Sequence, residues 1–203
     1  MGKVKIKKKS TWIDMTPMSD VMVLLLTFFM LTSTFVKSEP VKVVTPGSVS
    51  EIKVPETNVL NILVNNDGKV FMNMDKVTDL EATLASMTSK YGVSLNGVQI
   101  KKFKDQAMFG TPVEDLPAFL NKTVSEMGRE LPKQGIPTDS VQGGMSQFQV
   151  WVQEAKAVNP EMKLSIKADE KTPYRIIKKI MSELQDMNEN RYYLITSYKK
   201  VEE

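Results

Sequence analysis

One stretch limits what this chain can become. From Met15 to Val36 it reads MTPMSDVMVLLLTFFMLTSTFV, with a single charged residue, Asp20. Lys3, Lys5, Lys7, Lys8 and Lys9 precede the run, and Lys37, Ser38, Glu39 and Pro40 end it. Thr16 is placed to cap a helix whose first residue is Pro17, where a missing N–H is no loss. Helix from Pro17 to Val36 spans roughly 30 Å, the thickness of a bilayer's hydrocarbon core. The lysines before the run outnumber those just after it, which predicts a cytoplasmic N-terminus and everything past residue 36 outside. A cleaved signal peptide shares the basic start and apolar core. Against it stand the length of the run, the acid near its start and the lack of a small-x-small cleavage site. A buried helix of a soluble protein is the other alternative, disfavoured by the lysine cluster and the sharp ends.

The remaining composition narrows the chemistry. A net charge of +3 over 203 residues is too small to argue for a nucleic-acid partner. With no cysteine there are no disulfides and no thiolate metal sites. With no histidine, the commonest general base and the commonest metal ligand are both missing. No phosphate loop, metal-spaced acid cluster or nucleophile elbow is present. A non-enzyme with no catalytic residue, metal or cofactor is therefore expected.

Asp20 lies about one turn inside the predicted helix. An acid in a membrane span costs a few kcal/mol and usually faces a bundle interior or a water-filled path. Apolar surroundings favour a protonated carboxyl, whereas a helix N-terminus favours the anion, a balance suited to loading and releasing a proton. Asp20, Val23, Leu24, Thr27 and Leu31 follow 3- and 4-residue spacing, so Thr27 shares the acid's stripe. Its hydroxyl is available to water or a partner helix, or else to its own helix backbone. Snorkelling to the cytoplasmic interface is the plain alternative for Asp20. Asp14, just before the helix, reads as a helix-entry residue ahead of a proton relay.

The string Ile13-Asp14-Met15-Thr16-Pro17-Met18-Ser19-Asp20-Val21-Met22 resembles the signature of the ExbD/TolR family: a short polar lead, a proline, the intramembrane aspartate, then a Leu/Phe-rich helix. The resemblance implies that Asp20 carries the proton; the helix pattern itself sets Thr16 and Pro17 at the helix entry and makes Thr27 and Asp14 the candidates for a proton path or helix packing. It also implies a homodimer inside a ring of ExbB-like subunits, driving a TonB-like or TolA-like protein that works on the outer membrane. Localisation follows as a single-pass inner-membrane protein with a periplasmic C-terminal domain. ExbD-type transport and TolR-type envelope maintenance both remain open. So does a membrane-anchored periplasmic scaffold in which Asp20 is an assembly contact.

The expected layout is a basic tail over 1–14, a transmembrane helix over 15–36, an extended linker over 37–58 and an α+β periplasmic domain over 59–203. Three prolines mark the linker, whose Val41-Lys42-Val43-Val44 lacks the acid of the family's strand motif and is available to pair as a strand with a partner. Leu60, Ile62 and Val64, a turn at Asn65-Asn66-Asp67-Gly68, then Val70 and Met72 predict a hairpin. Thr78-x-x-Glu81 reads as a capping box for a helix burying Leu80, Leu84, Met87 and Tyr91 and closed by Gly92. Leu164 to Ala168 alternates as a strand. Thr172-Pro173 opens an amphipathic helix with Ile176, Ile177, Ile180, Met181, Leu184 and Met187 inward, and Tyr192 to Tyr198 supplies a last strand. The order ββα–βαβ matches what the resemblance implies, interrupted by a helical insertion over about 93–160. Within it, 97–103 is a possible strand, and Thr111-Pro112-x-Glu114 starts a helix to about Arg129. That helix turns Val113, Leu116, Leu120, Val124 and Met127 inward. After a Pro/Gly-rich loop, Ser146 opens a further helix with Phe148, Trp151, Val152 and Ala155. The insertion is either a partner grip or a thickening of the core.

Overall fold

A computed structural model of the chain describes residues 14–33, 39–48, 55, 57–140 and 144–198. The lysine-rich tail before Asp14 and the expected helix end over 34–36 lie outside them. The chain falls into two compact units, Met1–Val36 and Lys37–Glu203.

The first unit holds one helix, α1 (Thr16–Thr32), of 17 residues. Thr16 is its first helical residue rather than its cap, which corrects the expected capping role. A residue already in helical backbone cannot turn its oxygen back onto the first N–H groups. Met15 occupies the cap position without a side-chain bond, and the extended backbone of Ser33 ends the helix. At 1.5 Å per residue, α1 is roughly 25 Å long. Among the described residues no helix is long and apolar enough to cross a membrane.

The second unit is a mixed α/β fold around a four-stranded sheet ordered β3-β2-β4-β5. β2 (Val59–Val64) and β3 (Val70–Met74) form the antiparallel hairpin read from their alternation. β4 (Lys163–Ala168) adds parallel to β2, and β5 (Tyr192–Leu194) adds parallel to β4. In β2 only Asn61 escapes full burial, so both faces of this central strand are covered. α2 (Val77–Tyr91) follows the hairpin and α7 (Tyr174–Asp186) follows β4, giving the ββα and βαβ halves expected. The single strand expected from Tyr192 to Tyr198 is broken: β5 stops at Leu194, and β6 (Ser197–Tyr198) pairs elsewhere.

The insertion supplies four helices: α3 (Gly97–Asp105), α4 (Leu116–Leu120), α5 (Val124–Glu130) and α6 (Gln147–Val158). Trp151 of α6 is fully buried, its ring 4.7 Å from that of Phe109 and stacked 6.4 Å from that of Phe103. Phe109 also bridges to Met72 of β3. The insertion is thus part of one hydrophobic core with the sheet.

Three local expectations are overturned. The stretch 97–103 is helix, not strand. Asn96 accepts from the Gln99 N–H at 2.8 Å while the Gln99 side chain accepts from the Asn96 N–H at 2.8 Å. The single helix to Arg129 is two, because Thr123 and Glu126 form a fresh capping box and Lys102 donates to the carbonyls of Leu120 and Lys122. That break rotates Val124 outward to 75% exposure, while Val113, Leu116, Leu120 and Met127 stay buried. Thr78 caps nothing: α2 starts earlier, at Val77, so Thr78 is already in its first turn and its hydroxyl turns to Asp79. Gly92 closes α2 as expected, with a left-handed φ of 67° that glycine adopts freely. In α7 only Ile180 and Leu184 of the predicted face are buried; Ile176, Ile177, Met181 and Met187 are half-buried.

Residues 39–48 are extended but not loose. Val41 is buried in the domain core, the Val44 N–H donates to Asp169 Oδ2 at 3.0 Å, and the Val44 carbonyl accepts from Glu170 at 2.8 Å. β1 (Gly47–Ser48) then pairs in parallel with β6. Val41 to Val44, the stretch expected to be available to a partner, forms no strand here; the pair within the chain lies just after it, at Gly47–Ser48.

Candidate functional site

The candidate site is built on α1, where the sequence places one acid among apolar side chains. Its first turn is organised by Asp14. One carboxylate oxygen accepts both the backbone N–H of Thr16, at 3.0 Å, and the Thr16 hydroxyl. These two bonds, the hydroxyl first, hold the Asp14 carboxyl below its ordinary value. Asp14 therefore supplies the oxygen for the helix entry, a task the sequence pattern had given to Thr16. Pro17 sits in the first turn, where a missing N–H leaves no helix bond unmade.

Asp20 follows one turn later, and its carboxylate makes no hydrogen bond or ion pair among the described residues. No residue of α1 is buried, and its large side chains from Met18 to Leu31 are half exposed or more. Thr27 lies seven residues on, about 10 Å further along the axis on the same face. Its hydroxyl donates to the Leu24 carbonyl at 2.9 Å, and Thr32 does the same to Phe28 at 2.8 Å. Both hydroxyls are thereby satisfied inside the helix. The structure brings Asp14 and Thr16 together; no side-chain hydrogen bond joins either of them, or Thr27, to Asp20.

The α/β unit contributes one group whose role the sequence did not show. Asp169, in the turn after β4, accepts the Val44 N–H through one oxygen and the Lys171 N–H through the other at 3.0 Å. These bonds lower its carboxyl below the ordinary value, with the nearby Lys171 charge helping. An aspartate directly after a strand was the available signal, but its distant partner at Val44 has no local trace in the sequence. Among the described residues no cluster of acids could hold a metal ion.

Compared with known families, the chain matches the model for biopolymer transport protein ExbD/TolR over residues 7–108. The match spans α1, the docked segment, β2, β3, α2 and α3, and stops before α4; β4, α7 and β5 lie beyond it. No curated protein and no solved structure matches the chain. With half of its length covered by that model, and the acid-bearing helix inside the covered half, this chain belongs to the ExbD/TolR family of biopolymer transport proteins.

Proposed function

We propose that the chain is the proton-coupling subunit of an inner-membrane motor of the ExbB/ExbD type, energising a TonB-like protein for transport across the outer membrane. The carrying observation is Asp20, the one charge in the apolar helix Thr16–Thr32. A helix that buries none of its own apolar surface needs lipid or partner helices around it, and family membership supports both. In the sequence the uncharged run continues past Thr32 as far as Val36. In this reading Asp20 takes a proton from the periplasmic side and releases it to the cytoplasm. A potential of 100 mV makes about 2.3 kcal/mol available per charge moved. One helix cannot enclose such a path alone, so a second copy and a ring of ExbB-like subunits complete it. Asp14 and Thr27, each satisfied locally, serve helix entry and packing here rather than proton relay. The N-terminus is cytoplasmic and the α/β domain periplasmic, with no cofactor required.

The test is Asp20→Asn at native expression, with gradient-dependent uptake through an outer-membrane receptor as readout and complex assembly checked alongside. Normal assembly with uptake falling to the uncoupled level supports the reading; Asp20→Glu, which keeps an acid, should retain part of it. Undiminished uptake in the Asn variant refutes the proton role. It would leave a membrane-anchored scaffold or a TolR-like envelope subunit as the better account.

A further inference from the structure

Helix α1 begins one residue earlier than its proline invites. The proline ring pushes the residue before it away from helical backbone, and proline is favoured as the first residue of a helix. Here Thr16, directly before Pro17, is already helical. The first helix bond accordingly runs from the Ser19 N–H to the Met15 carbonyl, at 3.0 Å.

Asp14 holds Thr16 against that preference. Met15, at the cap position, makes no side-chain bond. One Asp14 oxygen reaches past it and accepts both the Thr16 N–H, at 3.0 Å, and the Thr16 hydroxyl. A side-chain oxygen bonded to the N–H two residues on is a turn that aspartate favours. The second bond ties down the side chain of Thr16 as well as its backbone. Both bonds keep the Asp14 carboxyl below its ordinary value, so this exposed group stays ionised. An ionised carboxylate resists entering hydrocarbon, so the clasp also marks the level at which the helix leaves water.

Asp20 stands four residues beyond Thr16, roughly 6 Å along the axis. Its carboxylate has no partner among the described residues, so the helix alone decides where it sits. A start at Pro17 would release the Ser19 N–H and loosen the turn that leads to the acid.

We propose that the Asp14–Thr16 clasp is a positioning device for Asp20, fixing the residue at which α1 starts and with it the height and bearing of the acid. The inference rests on α1 being the span that carries the proton acid, and it gives Asp14 no part in relaying the proton.

The test reads hydrogen exchange at the Ser19 amide of the full-length chain in lipid nanodiscs, beside gradient-dependent uptake per assembled complex in cells. Asp14→Ala should speed exchange at Ser19 about fivefold, as for a helix end that loses its capping oxygen, with Leu26 unchanged. Its uptake should fall while assembly stays intact. Asp14→Asn keeps the oxygen, so its exchange should stay within about twofold of the native chain and its uptake should persist. Thr16→Val loses only the hydroxyl bond and should lie between, whereas Thr16→Ser should behave as the native chain. The double variant Asp14→Ala with Thr16→Val should be no worse than Asp14→Ala alone, since both cut one clasp. Unchanged exchange at Ser19 in Asp14→Ala would overturn the proposal, as would an equal rise at Leu26 or undiminished uptake. Uptake lost alike in Asp14→Ala and Asp14→Asn would make the charge the active feature and Asp14 a relay, which also overturns it. Exchange at Ser19 does not depend on Asp20 carrying a proton. Full uptake in Asp20→Asn therefore removes the motor reading, whereas unchanged exchange in Asp14→Ala removes the clasp.

Discussion

Helix α1 and strand β2 are both written almost wholly in apolar residues, yet they meet water in opposite ways. Every apolar side chain of β2 is buried, whereas α1 buries none. The strand depends on neighbours for its hydrogen bonds as well as its packing: β3 on one side, β4 on the other. The helix closes its hydrogen bonds on itself, down to the hydroxyls of Thr27 and Thr32. Apolarity alone therefore does not make a core element: a central strand needs partners at both edges for its backbone, and a helix does not.

That contrast predicts where substitutions are felt. Trp151→Ala should cost the α/β domain about 3–5 kcal/mol, read by denaturant unfolding, because a fully buried ring against Phe103 and Phe109 leaves a cavity. Leu24→Ala in α1 should move the same transition by less than about 0.5 kcal/mol. An equal loss from both would break the distinction. Gly128→Ala should raise domain stability by up to about 1 kcal/mol, since among the described residues the added methyl meets no neighbour within 4 Å and improves the helix; a lower melting temperature would contradict that open space.

A smaller, pH-dependent effect belongs to Glu183, buried between α7 and the start of α6, where it accepts the Ser146 hydroxyl at 2.7 Å. Burial pushes its carboxyl above the ordinary value, helped by Asp139 and Asp186 and opposed by the Ser146 bond and Lys179. The folded chain thus holds this proton more firmly than the unfolded chain. Its stabilising share is full below the ordinary value, near 4.5, and is lost as pH rises through the raised one. Stability of Glu183→Gln measured across that interval should fall less with rising pH than that of the native chain. The smallest global change is expected for Asp169→Ala. Hydrogen exchange at Val44, Gly47 and Ser48 should quicken, while exchange in β2 stays as it was.

Legibility in the sequence followed the range of the signal. The hairpin, β4 and α6 were readable because their side-chain period and their turn or cap residues agree within a few positions. Two capping boxes, Asn96 with Gln99 and Thr123 with Glu126, were equally local and were passed over. The stretch 97–103 looked like a strand, and the apolar spacing from Val113 to Met127 looked like one helix. What could not be read was long-range: Lys102 stopping α4, Asp169 fixing Val44, and β6 leaving the line of β5. The acid in α1 was legible as an anomaly and Asp14 as a helix-entry residue, but not the bonds that Asp14 makes to Thr16. Asp20's partners are not encoded nearby at all.

The docked segment 39–48 has a mechanical meaning. Tension applied from the N-terminal side of Glu39 arrives first at the Val41 socket, two bonds at Val44 and a two-residue strand pair. Six-residue β2, held on both edges, comes afterwards. The segment is the weaker element in series and yields first. Once it lets go, those ten residues join the tether ahead of the sheet, at most roughly 33 Å of chain, while β2 stays paired.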